Sequence, residues 1–201
     1  MILAFDTSTA ACTVALSDGS GTCISHRDEL IGRGHAERLV PMIAELLEGR
    51  SADRILVGVG PGSFTGIRVA IAAAHGLAIG WSAQLAGISS LALIASAEKG
   101  KEVAVAVIGG HGELFVQEFS ASGEPSSELR NLAPATAAAA TKSALVIGSG
   151  ARQLVDARGW GEAREAWPSA ANALGLPESL RNLPPKPVYA RAPDARAKEA
   201  A

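Results

Sequence analysis

Gly58-Val59-Gly60-Pro61-Gly62-Ser63-Phe64-Thr65-Gly66-Ile67-Arg68 is the stretch on which the fold turns. The apolar run Ile55–Val59 leads into it and predicts a buried strand. Glycine and proline then break the chain, and Ser63 stands where a helix N-cap belongs. Small apolar residues continue to about Ile79, so the segment reads as strand, glycine-rich turn, helix. Backbone amides at a helix start sit at the positive end of the dipole and suit an anion. The Walker pattern needs Gly-Lys-Ser/Thr, and no lysine occurs here. The dinucleotide fingerprint fails too, because Thr65 stands where its third glycine belongs. Two readings stay open. Gly60, Gly62 and Ser63 form a vestigial phosphate loop, or the glycines of a tight turn let a helix pack closely on a sheet.

Upstream, the strand Met1–Phe5 ends in Asp6-Thr7-Ser8-Thr9. Asp6, Thr7 and Ser8 offer a carboxylate and two hydroxyls, the donors that a metal and a phosphate take; equally, Asp and Ser fill turns by bonding turn amides. Cys12–Leu16 and Thr22–His26 flank Asp18-Gly19, a hairpin signal whose register sets Cys12 opposite Ser25 rather than Cys23. His35–Leu47 has helical spacing, with Leu39, Met42, Ile43, Leu46 and Leu47 on one side, a kink or restart expected at Pro41, and an end at Gly49. Gln84–Ile88 reads as a strand, and Ser89 as the cap of a short helix to about Ala97.

The mixed pattern predicts an α/β protein in two lobes, the first over residues 1–99 and a smaller second lobe with a C-terminal tail over residues 100–201. In the second lobe Val103–Ile108, Leu114–Phe119 and Ala144–Ile147 read as strands. Thr136–Lys142, Ala151–Arg158 and Glu162–Ala166 read as helices, the chain is extended from Leu183, and Ala195–Ala201 frays.

Hydrophobic residues make up 48% of the 201, ample for a core, while charged residues reach only 19%, which points to surface covered by a partner. A net charge of −2 argues against unaided nucleic-acid binding, which calls for a basic stripe. No membrane span is expected, because no stretch of about 18 apolar residues escapes interruption. Met1–Asp6 lacks a basic signal-peptide start, and two cysteines are too few for a disulfide framework, so the reading is cytoplasmic. His26, His35, His75 and His111 are too far apart to pair on one helix face, so no metal site is specified.

The Phe64–Ile79 helix carries small side chains nearly all round, so something beyond its own sheet is expected to cover it. Two readings stay open from the pattern: a helical bundle with a second subunit, built with the His35–Leu47 helix, or packing on the chain's own sheet alone.

Ile2-Leu3-Ala4-Phe5-Asp6-Thr7-Ser8, His35-Ala36-Glu37-Arg38-Leu39-Val40-Pro41-Met42-Ile43 and the Gly58–Arg68 motif together resemble the TsaB (YeaZ) family in order and spacing. Pro187-Val188-Tyr189-Ala190-Arg191 is similar to that family's C-terminal Pro-x-Tyr-x-Arg element. The middle departs from it: Gly109-Gly110-His111 stands where the family often has Asp-Ala-Arg.

The resemblance implies an actin-like (ASKHA, ribonuclease H-like) fold in two lobes with mixed sheets flanked by helices. It also implies a non-catalytic subunit in the making of threonylcarbamoyladenosine, on the adenosine next to the anticodon of tRNAs that read codons beginning with A. The partners implied are TsaD, the paralogue that transfers the threonylcarbamoyl group, and the ATPase TsaE. In the family two first-lobe helices form the dimer bundle, so the interface implied here is His35, Leu39, Met42, Ile43 and Leu46 on one helix and Arg68, Val69, Ala72, His75 and Gly76 on the other. Alone, the chain would form a homodimer through this TsaD surface, and tRNA would be held mainly through TsaD. Transferring members carry a His-x-x-x-His metal pair, whereas Ile88-Ser89-Ser90-Leu91-Ala92-Leu93 has no histidine. No cofactor is assigned to the chain itself; ATP or ADP at a lobe or subunit junction is the nucleotide left open. The alternative is an actin-fold nucleotide-dependent phosphotransferase or hydrolase working through Asp6, Thr7 and the Gly60–Gly62 loop. Against it, the second lobe lacks a second acidic phosphate motif. A peptidase, the older label of the superfamily, comes third, because no nucleophile–base pair is visible.

Overall fold

The computed structural model describes residues 1–190 and folds them into two mixed five-stranded sheets. β1 (Ile2–Asp6), β2 (Ala11–Ser17), β3 (Cys23–Leu30), α1 (His35–Leu47), β4 (Arg54–Gly58), α2 (Phe64–Trp81) and β5 (Gln84–Ile88) build the first. Its strand order is β3-β2-β1-β4-β5, antiparallel across the first three strands and parallel from β1 to β4 and β5.

After α3 (Ser90–Ala95), the second unit follows with β6 (Val103–Ile108), β7 (Leu114–Phe119), β8 (Arg130–Leu132), α4 (Pro134–Ala140), β9 (Leu145–Ile147), α5 (Ala151–Arg158) and β10 (Glu162–Arg164). Its order, β10-β9-β6-β7-β8, repeats the same plan: an antiparallel meander, then two parallel strands, each reached through a helix. This duplicated unit is the actin-like architecture. A 3-10 turn at Ala170–Gly175 and α6 (Glu178–Arg181) return the chain to the first sheet.

The alternation of strand side chains divides the core. Leu3 and Phe5 of β1 face α1 and α2, where Leu39, Met42, Ile43, Ile67, Ala70 and Ala74 meet them. Ala4 faces the other way and joins a cluster between the sheets, built around Ile88, Leu91, Leu93, Ile94, Val103, Val105, Phe115 and Phe119. The far face of the second sheet packs Ala106, Leu114, Val116 and Val146 on Ala137, Ala151 and Leu154 of α4 and α5.

Local signals placed the helix starts. The Ser63 hydroxyl accepts from the Gly66 amide and the Ser89 hydroxyl from the Ala92 amide, both at 3.2 Å, so both predicted caps stand. Three expectations change. Cys12 opposes Glu29, not Ser25, because the Asp18 carboxylate binds the amides of Ser20 and Thr22, which widens the turn, and a bulge follows at Leu16/Ser17. Both cysteines are nevertheless free thiols. α1 runs through Pro41 unbroken; Pro41 lies on the exposed face, where water can take the carbonyl that it leaves without a partner. Residues 162–164 form a strand rather than a helix, because they pair in parallel with β9. Among the described residues α2, with mean hydropathy 1.3, is long and apolar enough by length and composition to cross a membrane, yet Thr65, Arg68 and His75 interrupt it as the sequence reading has it, and its stripe Gly66, Ile67, Ala70, Ile71 and Ala74 is buried. The expected frayed tail Ala195–Ala201, and Arg191, lie outside the described residues.

Candidate functional site

The end of β1, the end of β4 and the start of α2 meet at one buried junction. Asp6 is fully buried. Its Oδ1 accepts from the backbone amide and the hydroxyl of Ser8, both at 2.7 Å, and its Oδ2 accepts from the Ser90 hydroxyl. Ser90 in turn accepts from the Gly60 amide at 3.0 Å. Burial pushes the Asp6 carboxyl above its ordinary value, while the hydroxyls of Ser90 and Ser8 and the imidazole of His35 pull it back. Thr7 donates its hydroxyl to the Gly66 carbonyl at 2.7 Å, and the Ser63 amide donates to the Ser8 carbonyl at 2.6 Å.

These contacts decide what the motif glycines do. A Cβ on Gly62 would stand 2.1 Å from the Ser8 carbonyl oxygen, and one on Gly66 1.9 Å from that of Thr7. Backbone of the turn after β1, Thr7 and Ser8, fills the side of those glycines where a side chain would stand. The packing reading of the motif therefore holds at Gly62 and Gly66, and Asp6 is a staple between β1 and α3.

Above the junction lies a cleft of about 1330 Å³ between the lobes. Of the residues suggested for a phosphate loop, Ser8, Gly62 and Ser63 reach its wall, whereas Asp6, Thr7 and Gly60 do not. Its other walls carry Arg33, His35 and Arg68 from the first lobe and His111 and Phe115 from the second. The His35 Nε2 atom is buried with no hydrogen-bond partner. Among the described residues, no group of three or more His, Cys, Asp or Glu is placed to hold a metal ion.

The family model described as "tRNA N6-adenosine threonylcarbamoyltransferase" (TsaD) matches residues 28–155. A solved structure described as an uncharacterized protein with similarity to peptidase YEAZ from Pseudomonas aeruginosa superposes with a TM-score of 0.78 at 31% identity, covering 94% of this chain and 99% of that one. This chain belongs to the TsaB (YeaZ) family, within the reach of the TsaD model. TsaB of Escherichia coli (strain K12) is 39% identical over 127 residues, which are 59% of this chain and 54% of that protein. TsaB of Haemophilus influenzae is 44% identical over 102 residues, 48% of this chain and 42% of that protein. The matched region thus spans about half the length of these curated TsaB relatives. EutJ from Carboxydothermus hydrogenoformans, at 14% identity, 87% of this chain, 88% of that chain and TM-score 0.51, shares the fold alone.

The outer face of α1 and α2 differs from the surface expected of this TsaB-family chain. Leu39, Met42, Ile43 and Leu46 are buried under α1 against the first sheet, so they are core and not partner surface. A helix turns only one apolar stripe inward, and here the sheet has taken it. On α2, Arg68, Ala72, His75 and Gly76 are exposed, Val69 is half-buried, and His35 is half-buried at the start of α1. The reading missed Val40, 56% exposed, and Ile79, 81% exposed. Their signal was an apolar side chain out of phase with the buried stripe. Arg38 clamps α1 onto the edge strand β3: it binds Glu29 through Nε at 2.7 Å and through a terminal nitrogen at 2.6 Å, and Glu45 at 2.9 Å. The Arg38 hydrogen bonds hold Glu29 and Glu45 below the ordinary carboxylate range.

Proposed function

We propose that this chain is a non-catalytic partner subunit of TsaD in the complex that places a threonylcarbamoyl group on the adenosine next to the anticodon, with TsaE as a further partner and tRNA held mainly through TsaD. The observation that carries this reading is the Asp6 junction. Both carboxylate oxygens are engaged by Ser8 and Ser90, and Gly62 and Gly66 pack closely on the backbone of Ser8 and Thr7, which supports a structural role for the motif at the start of α2. The names of the TsaB relatives, which place those proteins in threonylcarbamoyladenosine biosynthesis, support the pathway.

The partner surface follows from exposure: Arg68, Ala72, His75, Gly76 and Ile79 on α2, with Val40 on the neighbouring α1. A homodimer through this surface would compete with TsaD. Sedimentation of the chain with TsaD tests the assignment. Ala72→Glu places a charge on an exposed site, so the fold persists, and the expected loss of association is about tenfold or more through burial of an unpaired charge. Normal pairing of Ala72→Glu overturns the surface. Leu39→Glu, by contrast, is expected to unfold the chain.

A further inference from the structure

We propose that residues 183–190 form a latch that closes one side of the cleft, hinged at Leu183 and clasped by Tyr189. The inference does not depend on the function proposed above.

The hinge is a two-way backbone pair. The Gly87 amide donates to the Leu183 carbonyl at 2.7 Å, and the Leu183 amide to the Gly87 carbonyl at 3.0 Å. Gly87 is buried, and a Cβ there would stand 2.7 Å from Val59 and 2.8 Å from the Pro184 carbonyl, so the hinge sits tightly on the sheet. Pro184-Pro185-Lys186-Pro187 follows. The segment is not extended throughout as the sequence suggested: the Lys186 amide donates to the Pro184 carbonyl at 2.8 Å and the chain bends at Pro185 and Lys186, while three prolines fix φ and stiffen the arm.

The clasp is of another kind. One backbone bond, from the Val188 amide to the Val59 carbonyl at 2.8 Å, fastens the arm to the first sheet. The Tyr189 ring stacks on Phe64, centroids 5.6 Å apart and 27° between planes. The Tyr189 hydroxyl accepts from Arg68 Nε at 3.2 Å, and the Arg68 guanidinium lies 3.6 Å over the Phe64 ring. Leu183 and Val188 are both half-buried on the core of the first sheet, but Gly87, the strand partner of the hinge, is buried, whereas the side chains of the clasp, Phe64 and Tyr189, are 54% and 48% exposed. Segments held by exposed contacts open at lower free energy than the core they rest on. Val188, Tyr189 and Ala190 line the cleft, so lifting the arm removes a wall.

Hydrogen exchange of single amides in the full chain tests the latch. In the unmodified chain the Val188 amide is expected to exchange at least about tenfold faster than those of Leu183 and Gly87. Tyr189→Ala removes the stack and the Arg68 contact and is expected to speed Val188 exchange by about tenfold more, leaving Leu183 and Gly87 within about twofold. Tyr189→Phe, which keeps the stack alone, is expected between the two. One common rate for all three amides, or a Val188 rate indifferent to Tyr189→Ala, overturns the latch. Control of the cleft is read from Trp167 in its wall, with Trp81 and Trp160 replaced by Phe. Acrylamide quenching of Trp167 is expected to rise about twofold on Tyr189→Ala. Unchanged quenching overturns the claim that the arm governs the cleft.

Discussion

Replacing Gly66 with alanine should cost this protein much of its stability. The new methyl would lie 1.9 Å from the Thr7 carbonyl oxygen, which must retreat by about 1.5 Å to reach the 3.4 Å of an ordinary contact. That oxygen belongs to backbone held on both sides. Thr7 binds the Gly66 carbonyl through its hydroxyl, and the next carbonyl, of Ser8, accepts from Ser63. Overpacking of this kind costs about 1–3 kcal/mol, and each buried hydrogen bond pulled apart adds about 1 kcal/mol. The sum is about 3–5 kcal/mol, which lowers Tm by about 6–20 °C in a chain of this size. Urea and thermal unfolding followed by circular dichroism would measure it. Gly80→Ala is the control, because Gly80 lies in the same helix with nothing within 4 Å of its Cβ position. It should be neutral, or stabilising by about 0.5 kcal/mol. If Gly66→Ala costs no more than Gly80→Ala, the packing reading of the motif fails and a ligand cradle returns.

Ser90→Ala removes a donor to Asp6 and leaves the Gly60 amide unpaired, for an expected loss of about 3–5 kcal/mol. The Asp6 carboxyl is already raised in the folded state, so its burden on stability grows as pH rises from the ordinary value of 3.8 towards the folded one. The variant raises the folded value further. Its deficit, read from urea midpoints, should therefore shrink as pH falls, and a deficit independent of pH would contradict the Asp6 staple. Glu29 and Glu45 titrate in the opposite sense. Their pairing with Arg38 stabilises the fold fully above the ordinary 4.5, is lost as pH falls through the lowered values, and should vanish in Arg38→Met. Burial, with the Glu29 charge next, pushes the Cys12 thiol up to about 12. Maleimide at pH 8 should then label Cys23 alone until the chain unfolds, and mass spectrometry of the native protein would reveal any Cys12 adduct.

Much of this fold was legible because its signals are short in range. Ser63 and Ser89 announce their helices by one hydroxyl each, and the apolar stripe of His35–Leu47 gives both the helix and its extent. The misreadings share a different cause. Asp18-Gly19 looks like a two-residue turn until the Asp18 side chain gathers the Ser20 and Thr22 amides, which shifts the register of all of β3. Residues 162–164 become a strand through β9, which no local window contains. At the site, periodicity revealed that Leu39, Met42, Ile43 and Leu46 share a face, but not that the chain's own sheet receives it. The meeting of Asp6 with Ser90 and of Phe64 with Tyr189 joins residues more than eighty positions apart, and one sequence carries no sign of either contact.

The central claim is that this chain supports a transferase without performing the chemistry. Threonylcarbamoyl transfer to tRNA, reconstituted from TsaD, TsaE and an enzyme that makes threonylcarbamoyl-adenylate from threonine, bicarbonate and ATP, tests it with and without this chain. The account predicts modified tRNA only when the chain is present, and no ATP hydrolysis by the chain alone. Equal transfer in its absence, or saturable ATP hydrolysis by the isolated chain that Asp6→Ala abolishes, would contradict it.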